Sequence, residues 1–235
     1  MSDERITIDR RFNGPPESGN GGYVCGRLAA YVDGAAEVTL RKPPPLDRPL
    51  DVVRSGDGVT LREGETAIAE GVAAALDLEV PEAVSPADAA EASSSYPGHE
   101  KHIFDQCFVC GPRRRPGDGL RIFPGWVAGR KLVAAPWTPD PSLAGEDGAV
   151  RPEFVWASLD CPGAWAMFDE KGFERAVVLG RLAARLLAPV RPDEACVAIG
   201  WPLGEDGRKL YAGTALFGEG GDLRAFARAT WVRIG

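Results

Sequence analysis

The stretch from Gly21 to Val32, GGYVCGRLAAYV, is apolar on nearly every side except at Arg27. A helix with no polar face must be enclosed, and the extended segments that follow it are the natural enclosure. Such segments are expected at Glu37 to Arg41, Leu50 to Arg54, Val59 to Arg62 and Thr66 to Leu76, separated by the turn signals Ser55-Gly56-Asp57-Gly58 and Glu63-Gly64. A short strand at Ile6 to Ile8 precedes the helix.

The same order recurs further on. Leu120 to Phe123 and Lys131 to Ala135 read as strands, and Pro152 to Phe168 (PEFVWASLDCPGAWAMF) reads as a second apolar helix with proline at its first position. Strands follow near Ala176 to Leu187, Ala195 to Trp201, Leu210 to Phe217 and Leu223 to Val232. Between the two runs, Val80 to Gln106 is poor in apolar residues and rich in Pro, Ala, Ser and acid, which reads as a linker or surface excursion. We read the chain as a degenerate internal duplication. The expected class is α+β, a double hotdog with antiparallel sheets each wrapping a central apolar helix. Its halves are residues 1–95 and 96–235, with a linker and opening segment at about 80–117.

Composition removes several function classes. A net charge of −7 argues against a nucleic-acid binder, which needs a surplus of Lys and Arg on one face. No apolar stretch approaches the roughly 20 residues of a membrane span, and the N-terminus lacks a secretory apolar core, so the expectation is a cytoplasmic protein without a membrane partner. Five cysteines without a regular framework fit reduced thiols. There is no G-x-S-x-G motif and no Gly-rich phosphate loop.

The segment Cys107-Phe108-Val109-Cys110-Gly111-Pro112, followed by Gly119-Leu120-Arg121, resembles the opening segment of PaaI-like hotdog thioesterases of the phenylacetate-pathway type. In that family a motif G-x-V-H-G-G-x-x-x-x-L-x-D comes next, and this chain carries Gly148 to Asp160 (GAVRPEFVWASLD) at the same spacing. The resemblance implies an acyl thioester such as an acyl-CoA as substrate and Asp160 as the catalytic acid, with Arg151, Pro152 and Glu153 standing where His-Gly-Gly would be. Asn20-Gly21-Gly22-Tyr23-Val24 is similar to the helix start of acyl-CoA thioesterase II relatives, whose acid position is here Ala29.

The residues suggest their own chemistry beside the resemblance. A carboxylate at Asp160 among apolar neighbours should have its pKa raised by burial, which makes it a stronger base for water. Gly21 and Gly22 open a helix whose first N–H groups are unpaired, which suits a thioester carbonyl, with Asn20 as the cap. The expectation is one composite site. Asp160 is its catalytic residue, and Asn20, Gly21, Gly22, Tyr23, Arg151, Glu153 and Trp156 bind substrate. The mirrored site, pairing Pro152 and Glu153 with Ala29, is degenerate.

Arg113 to Arg115 could meet coenzyme A phosphates, though a solvated loop is preferred. No resident cofactor is expected. His99, His102, Cys107 and Cys110 offer a ligand set suited to tetrahedral zinc, although packing is the preferred role of those cysteines. The rival to hydrolysis is a catalytically inactive acyl- or aromatic-ligand-binding or scaffold protein, favoured by Arg151, Pro152 and Ala29. A hydratase or dehydratase ranks lower, since neither helix carries a His. Association into a homo-oligomer is left open.

Overall fold

The computed structural model describes residues 4–168 and 176–234. One antiparallel sheet of eleven strands runs through it, in the order β1-β3-β4-β5-β2-β8-β11-β10-β9-β7-β6. The first half supplies β1 (Arg5–Thr7), β2 (Ala36–Leu40), β3 (Pro49–Ser55), β4 (Gly58–Glu63) and β5 (Thr66–Ala73). The second supplies β6 (Gly125–Trp126), β7 (Val133–Trp137), β8 (Val177–Leu186), β9 (Cys196–Asp206), β10 (Lys209–Phe217) and β11 (Leu223–Arg233). With the two-residue β6 set aside, both halves repeat one topology: strand, helix, then four strands, ordered in the sheet as first-third-fourth-fifth-second. The two sheets expected from the sequence are joined at β2 and β8, where Val38 pairs with Leu182. Joining satisfies backbone groups that two separate edge strands would leave open.

Each half carries its apolar helix. The first, α1 (Gly21–Ala29), is capped by Asn20, whose side chain accepts from Tyr23 N–H at 2.9 Å. It packs on β2, β5 and β8, and all of its residues except Gly21 and Arg27 are buried. The helix expected over Pro152 to Phe168 is two pieces, α3 (Pro152–Ser158) and α4 (Cys161–Trp165). Pro162 has no N–H to give to the Ser158 carbonyl, so the helix stops and restarts, and Asp160 sits at the break with φ −80° and ψ −80°.

Two features depart from the sequence reading. The linker contains α2 (Pro86–Ser94), capped by Ser85, whose side chain accepts from Asp88 N–H at 3.1 Å. It lies on β6, β7 and β9 and buries only Ala89 and Ala92, so the segment stays poor in large apolar residues while covering a second face of the sheet. Leu120 to Phe123 forms no named strand. Leu120 and Ile122 donate to the Phe108 and Val109 carbonyls at 2.8 and 2.9 Å, but Arg121 between them has φ +56°, which breaks the extended run. Among the described residues no helix is long and apolar enough to cross a membrane.

The closest helix contact is between α1 and α3, and glycine permits it. A Cβ at Gly26 would stand 2.6 Å from Glu153 Cα and 2.7 Å from Trp156 Cβ. A Cβ at Gly22, one turn earlier on the same face, would stand 2.6 Å from Asp160 Cβ and 2.9 Å from the Trp156 carbonyl oxygen. Gly26→Ala is therefore expected to cost about 1–3 kcal/mol by forcing the helices apart. Chemical denaturation measures it, and an unchanged midpoint would show that the two helices do not touch there.

Candidate active site

The break between α3 and α4 turns the Asp160 side chain away from capping its own helix and toward α1. Asp160 is 2% exposed. Its Oδ2 accepts from Gly22 N–H at 2.9 Å and from Asn20 Nδ2 at 2.8 Å. Asn20 thus does two tasks, its Oδ1 capping α1 and its Nδ2 holding the acid. Asp160 Oδ1 is buried and meets no donor among the described residues.

Burial raises the pKa of this carboxyl from 3.8 to about 7, against the pull of the Gly22 N–H and the Asn20 amide, and the nearby Cys107 thiolate adds to the rise. A group at that poise can exchange a proton near neutrality.

Asp160, Asn20 and Gly21 line a cavity of about 660 Å³. Most of the lining is apolar, including Leu40, Ala164, Val177, Leu179 and Trp231. The Gly21 N–H, at the positive end of α1, meets no acceptor among the described residues. Trp231 Nε1 is a second buried polar atom on these walls without a partner among the described residues. A buried acceptor and a buried donor left open on one cavity are the mark of a site that a ligand or water completes. Exposed Arg41 and Lys42 also border the cavity, and Arg41 is paired with Glu70 at 2.6 Å.

Other residues expected at the site stand elsewhere. Gly22 does not offer its N–H to a substrate, because Asp160 takes it. Tyr23 is a core residue, stacked on Phe12 at 4.3 Å between ring centroids and accepting from Arg27 at 3.0 Å through its hydroxyl. Trp156 is buried where α3 meets Gly26 of α1. Arg151 is exposed, 4.7 Å over the Phe154 ring and 3.6 Å from Glu153. None of Tyr23, Arg151, Glu153 and Trp156 lines the cavity. The arginine run is not a uniform solvated loop either. Arg114 is buried, with its guanidinium bonded to the Gln106 and Arg11 carbonyls, to Asn13 and to Asp118, while Arg113 pairs with Asp105.

The cysteines form a group of their own beside the acid. Cys107, Cys110 and Cys161 are buried, with all three Sγ atoms within 4.8 Å of one another, and all line the cavity. Hydrogen bonds from the Cys110 and Cys161 thiols hold Cys107 well below the usual thiol range despite its burial, whereas burial pushes Cys110 and Cys161 up. His102 also lines the cavity, whereas His99 is exposed, with its ring against Tyr96 and Phe123. Cys161, adjacent to Asp160, was not singled out in the sequence, where it stands far from the Cys107–Cys110 pair.

No family model matches the sequence, and no curated protein is significantly similar to it. Solved structures do match over nearly the whole chain. A protein of unknown function with a hot dog fold from Alicyclobacillus acidocaldarius superposes with a TM-score of 0.63 at 9% identity, covering 98% of this chain and 92% of that one. The tesB protein of Mycobacterium avium subspecies paratuberculosis gives 0.63 at 13%, with the same coverage. A candidate thioesterase from Novosphingobium aromaticivorans gives 0.62 at 13%, covering 100% of this chain and 97% of that one. The chain has the hotdog fold.

The ionisation of Asp160 carries a stability signature. Its folded pKa lies above its unfolded one, so its contribution is most favourable in acid and is lost as pH rises from about 4 to about 7. Asp160→Asn, which removes the charge and keeps the shape, is expected to raise the melting temperature at pH 8 by several degrees and to leave it nearly unchanged at pH 4. Paired thermal melts across that range check this, and an equal effect at both pH values contradicts it.

Proposed function

We propose that this chain hydrolyses acyl thioesters, with an acyl-CoA as substrate, and that it does so at one composite site between two fused hotdog halves, residues 1–95 and 96–235. The observation that carries the reading is the unpartnered Oδ1 of buried Asp160, on the wall of an apolar cavity beside the open Gly21 N–H. The repeated strand order and the full-length likeness to hotdog structures support the two-half architecture.

The acyl chain occupies the cavity, whose volume of about 660 Å³ falls within the common range for small-molecule sites. The thioester oxygen faces Gly21 N–H, which stabilises the charge that develops on it. Asp160 Oδ1 accepts a proton from water as the water oxygen bonds to the carbonyl carbon. The tetrahedral intermediate then collapses with cleavage of the C–S bond, and the departing thiolate takes the proton back from Asp160. Lys42, exposed at the cavity and without an ion pair among the described residues, is the cation available to the phosphates of the carrier.

The position equivalent to Asp160 in α1 is Ala29, and the N–H equivalent to that of Gly21 is removed by Pro152. The mirrored site therefore has neither base nor donor at those positions. A hydratase would need a free imidazole. His102 is on the cavity wall, but its Nδ1 accepts from Phe104 N–H at 3.0 Å and its Nε2 lies 3.3 Å from Cys110 Sγ. The same cavity would also serve a protein that binds an acyl group without hydrolysing it.

A panel of acyl-CoAs distinguishes the two. For the wild type, kcat/KM is expected to rise about tenfold per pH unit below pH 7 and to level off above it. Asp160→Asn is expected to lower turnover about 10²- to 10⁴-fold while a non-hydrolysable acyl-CoA analogue still stabilises the variant thermally. Analogue binding without wild-type turnover on any member would select the binding protein instead.

A further inference from the structure

Three of the five cysteines are gathered at one point from distant parts of the sequence. Cys107 and Cys110 lie in the loop that follows the linker, and Cys161 opens α4. Cys107 Sγ and Cys161 Sγ are 3.7 Å apart. Two thiolates on a tetrahedral zinc ion, with Zn–S of about 2.3 Å, stand about 3.8 Å apart.

The Asn20 amide donates toward Cys107 Sγ at 3.9 Å, His102 Nε2 lies 3.3 Å from Cys110 Sγ, and Gly111 N–H donates to the Cys107 carbonyl at 2.9 Å. Gly111 allows a turn this tight, since a Cβ there would stand 2.5 Å from the Cys107 carbonyl oxygen. Donors aimed at the sulfur are the outer support of a thiolate ligand.

We propose that Cys107, Cys110 and Cys161 form a three-thiolate site for zinc, with the fourth position of the ion left to water from the cavity that the cysteines line. His102 supports the site without ligating it. Its Nδ1 accepts from Phe104 N–H, so the proton of the neutral ring is on Nε2, which donates to Cys110 Sγ. Each thiol still protonated gives its proton to solvent as the ion binds, and a divalent cation offsets most of the charge of three buried thiolates. The ion ties the loop that carries Cys107 and Cys110 to the helix that begins next to Asp160.

Metal content, not turnover, tests this, so the outcome is independent of the hydrolase reading. The full chain is purified under reducing conditions with Zn²⁺, washed of loosely held metal and assayed by elemental analysis. About one zinc per chain is expected for the wild type and for Cys196→Ser. Exchange with Co²⁺ should give the near-ultraviolet sulfur-to-cobalt band and the visible bands of a tetrahedral site. Cys107→Ser, Cys110→Ser and Cys161→Ser should each lose most of the metal, and His102→Gln should keep the stoichiometry with affinity weakened about 10- to 100-fold. The wild-type Co²⁺ spectrum stands even where a serine variant fails to fold. The proposal is overturned by a wild type without zinc or a sulfur-to-cobalt band, by metal retained at full affinity in Cys161→Ser, or by loss of stoichiometry in His102→Gln. It is likewise overturned by a Cys107–Cys161 disulfide that forms in the presence of excess Zn²⁺.

Discussion

The hydrogen bond from Gly22 N–H to Asp160 Oδ2 joins the start of one central helix to the break in the other, and the candidate site is arranged around it. It needs three features together. Gly22 and Gly26 must lack side chains so that α1 can lie against α3, Pro162 must interrupt the second helix so that Asp160 can turn toward the first, and Asn20 must supply the second donor. The two donors stabilise the carboxylate but do not offset the loss of water around it, which is why the proton is held up to about pH 7. One oxygen is tied down and the other left open, so the acid is both positioned and available.

The two halves share a strand order but differ at the helix positions that the proposed chemistry uses. The first keeps a helix start with an open Gly21 N–H and has Ala29 at the position that matches Asp160, whereas the second carries Asp160 and opens its helix with Arg151-Pro152-Glu153. The proposed site, assembled across the two helices, rests on that asymmetry. The join of β2 to β8 makes the sheet continuous.

Much of this fold was legible because periodicity and turn chemistry are local. The glycine turns at Gly56 to Gly58 and at Gly64 delimit β3, β4 and β5, and an all-round apolar helix has to be enclosed by something. The placement of Asp160 beside Asn20 and Gly22 was anticipated from the motifs, although not the fate of the Gly22 N–H. What escaped was set by contacts remote in sequence or by small residues. Ala89 and Ala92 bury α2 without a strong apolar signal, Gly26 reads as an ordinary helix glycine until Trp156 is found against it, and Arg114 looks solvent-bound until its carbonyl partners are seen. Tyr23 and Trp156 lie within a few residues of Gly22 and Asp160 in the sequence, but helical periodicity turns them to the aromatic and interhelical core. Cys161 joins Cys107 and Cys110 only through the fold.

The central claim is that Asp160 is a buried carboxyl in balance between its acid and its base forms near neutral pH. Carbon-13 nuclear magnetic resonance of protein labelled at the aspartate carboxyl carbons, with Asp160→Asn used to identify the resonance, observes that equilibrium directly. A titration midpoint near pH 7 is the expected result. A carboxyl that stays ionised down to about pH 4 would mean that burial does not outweigh its two donors, and the account of a base poised near neutrality would fail.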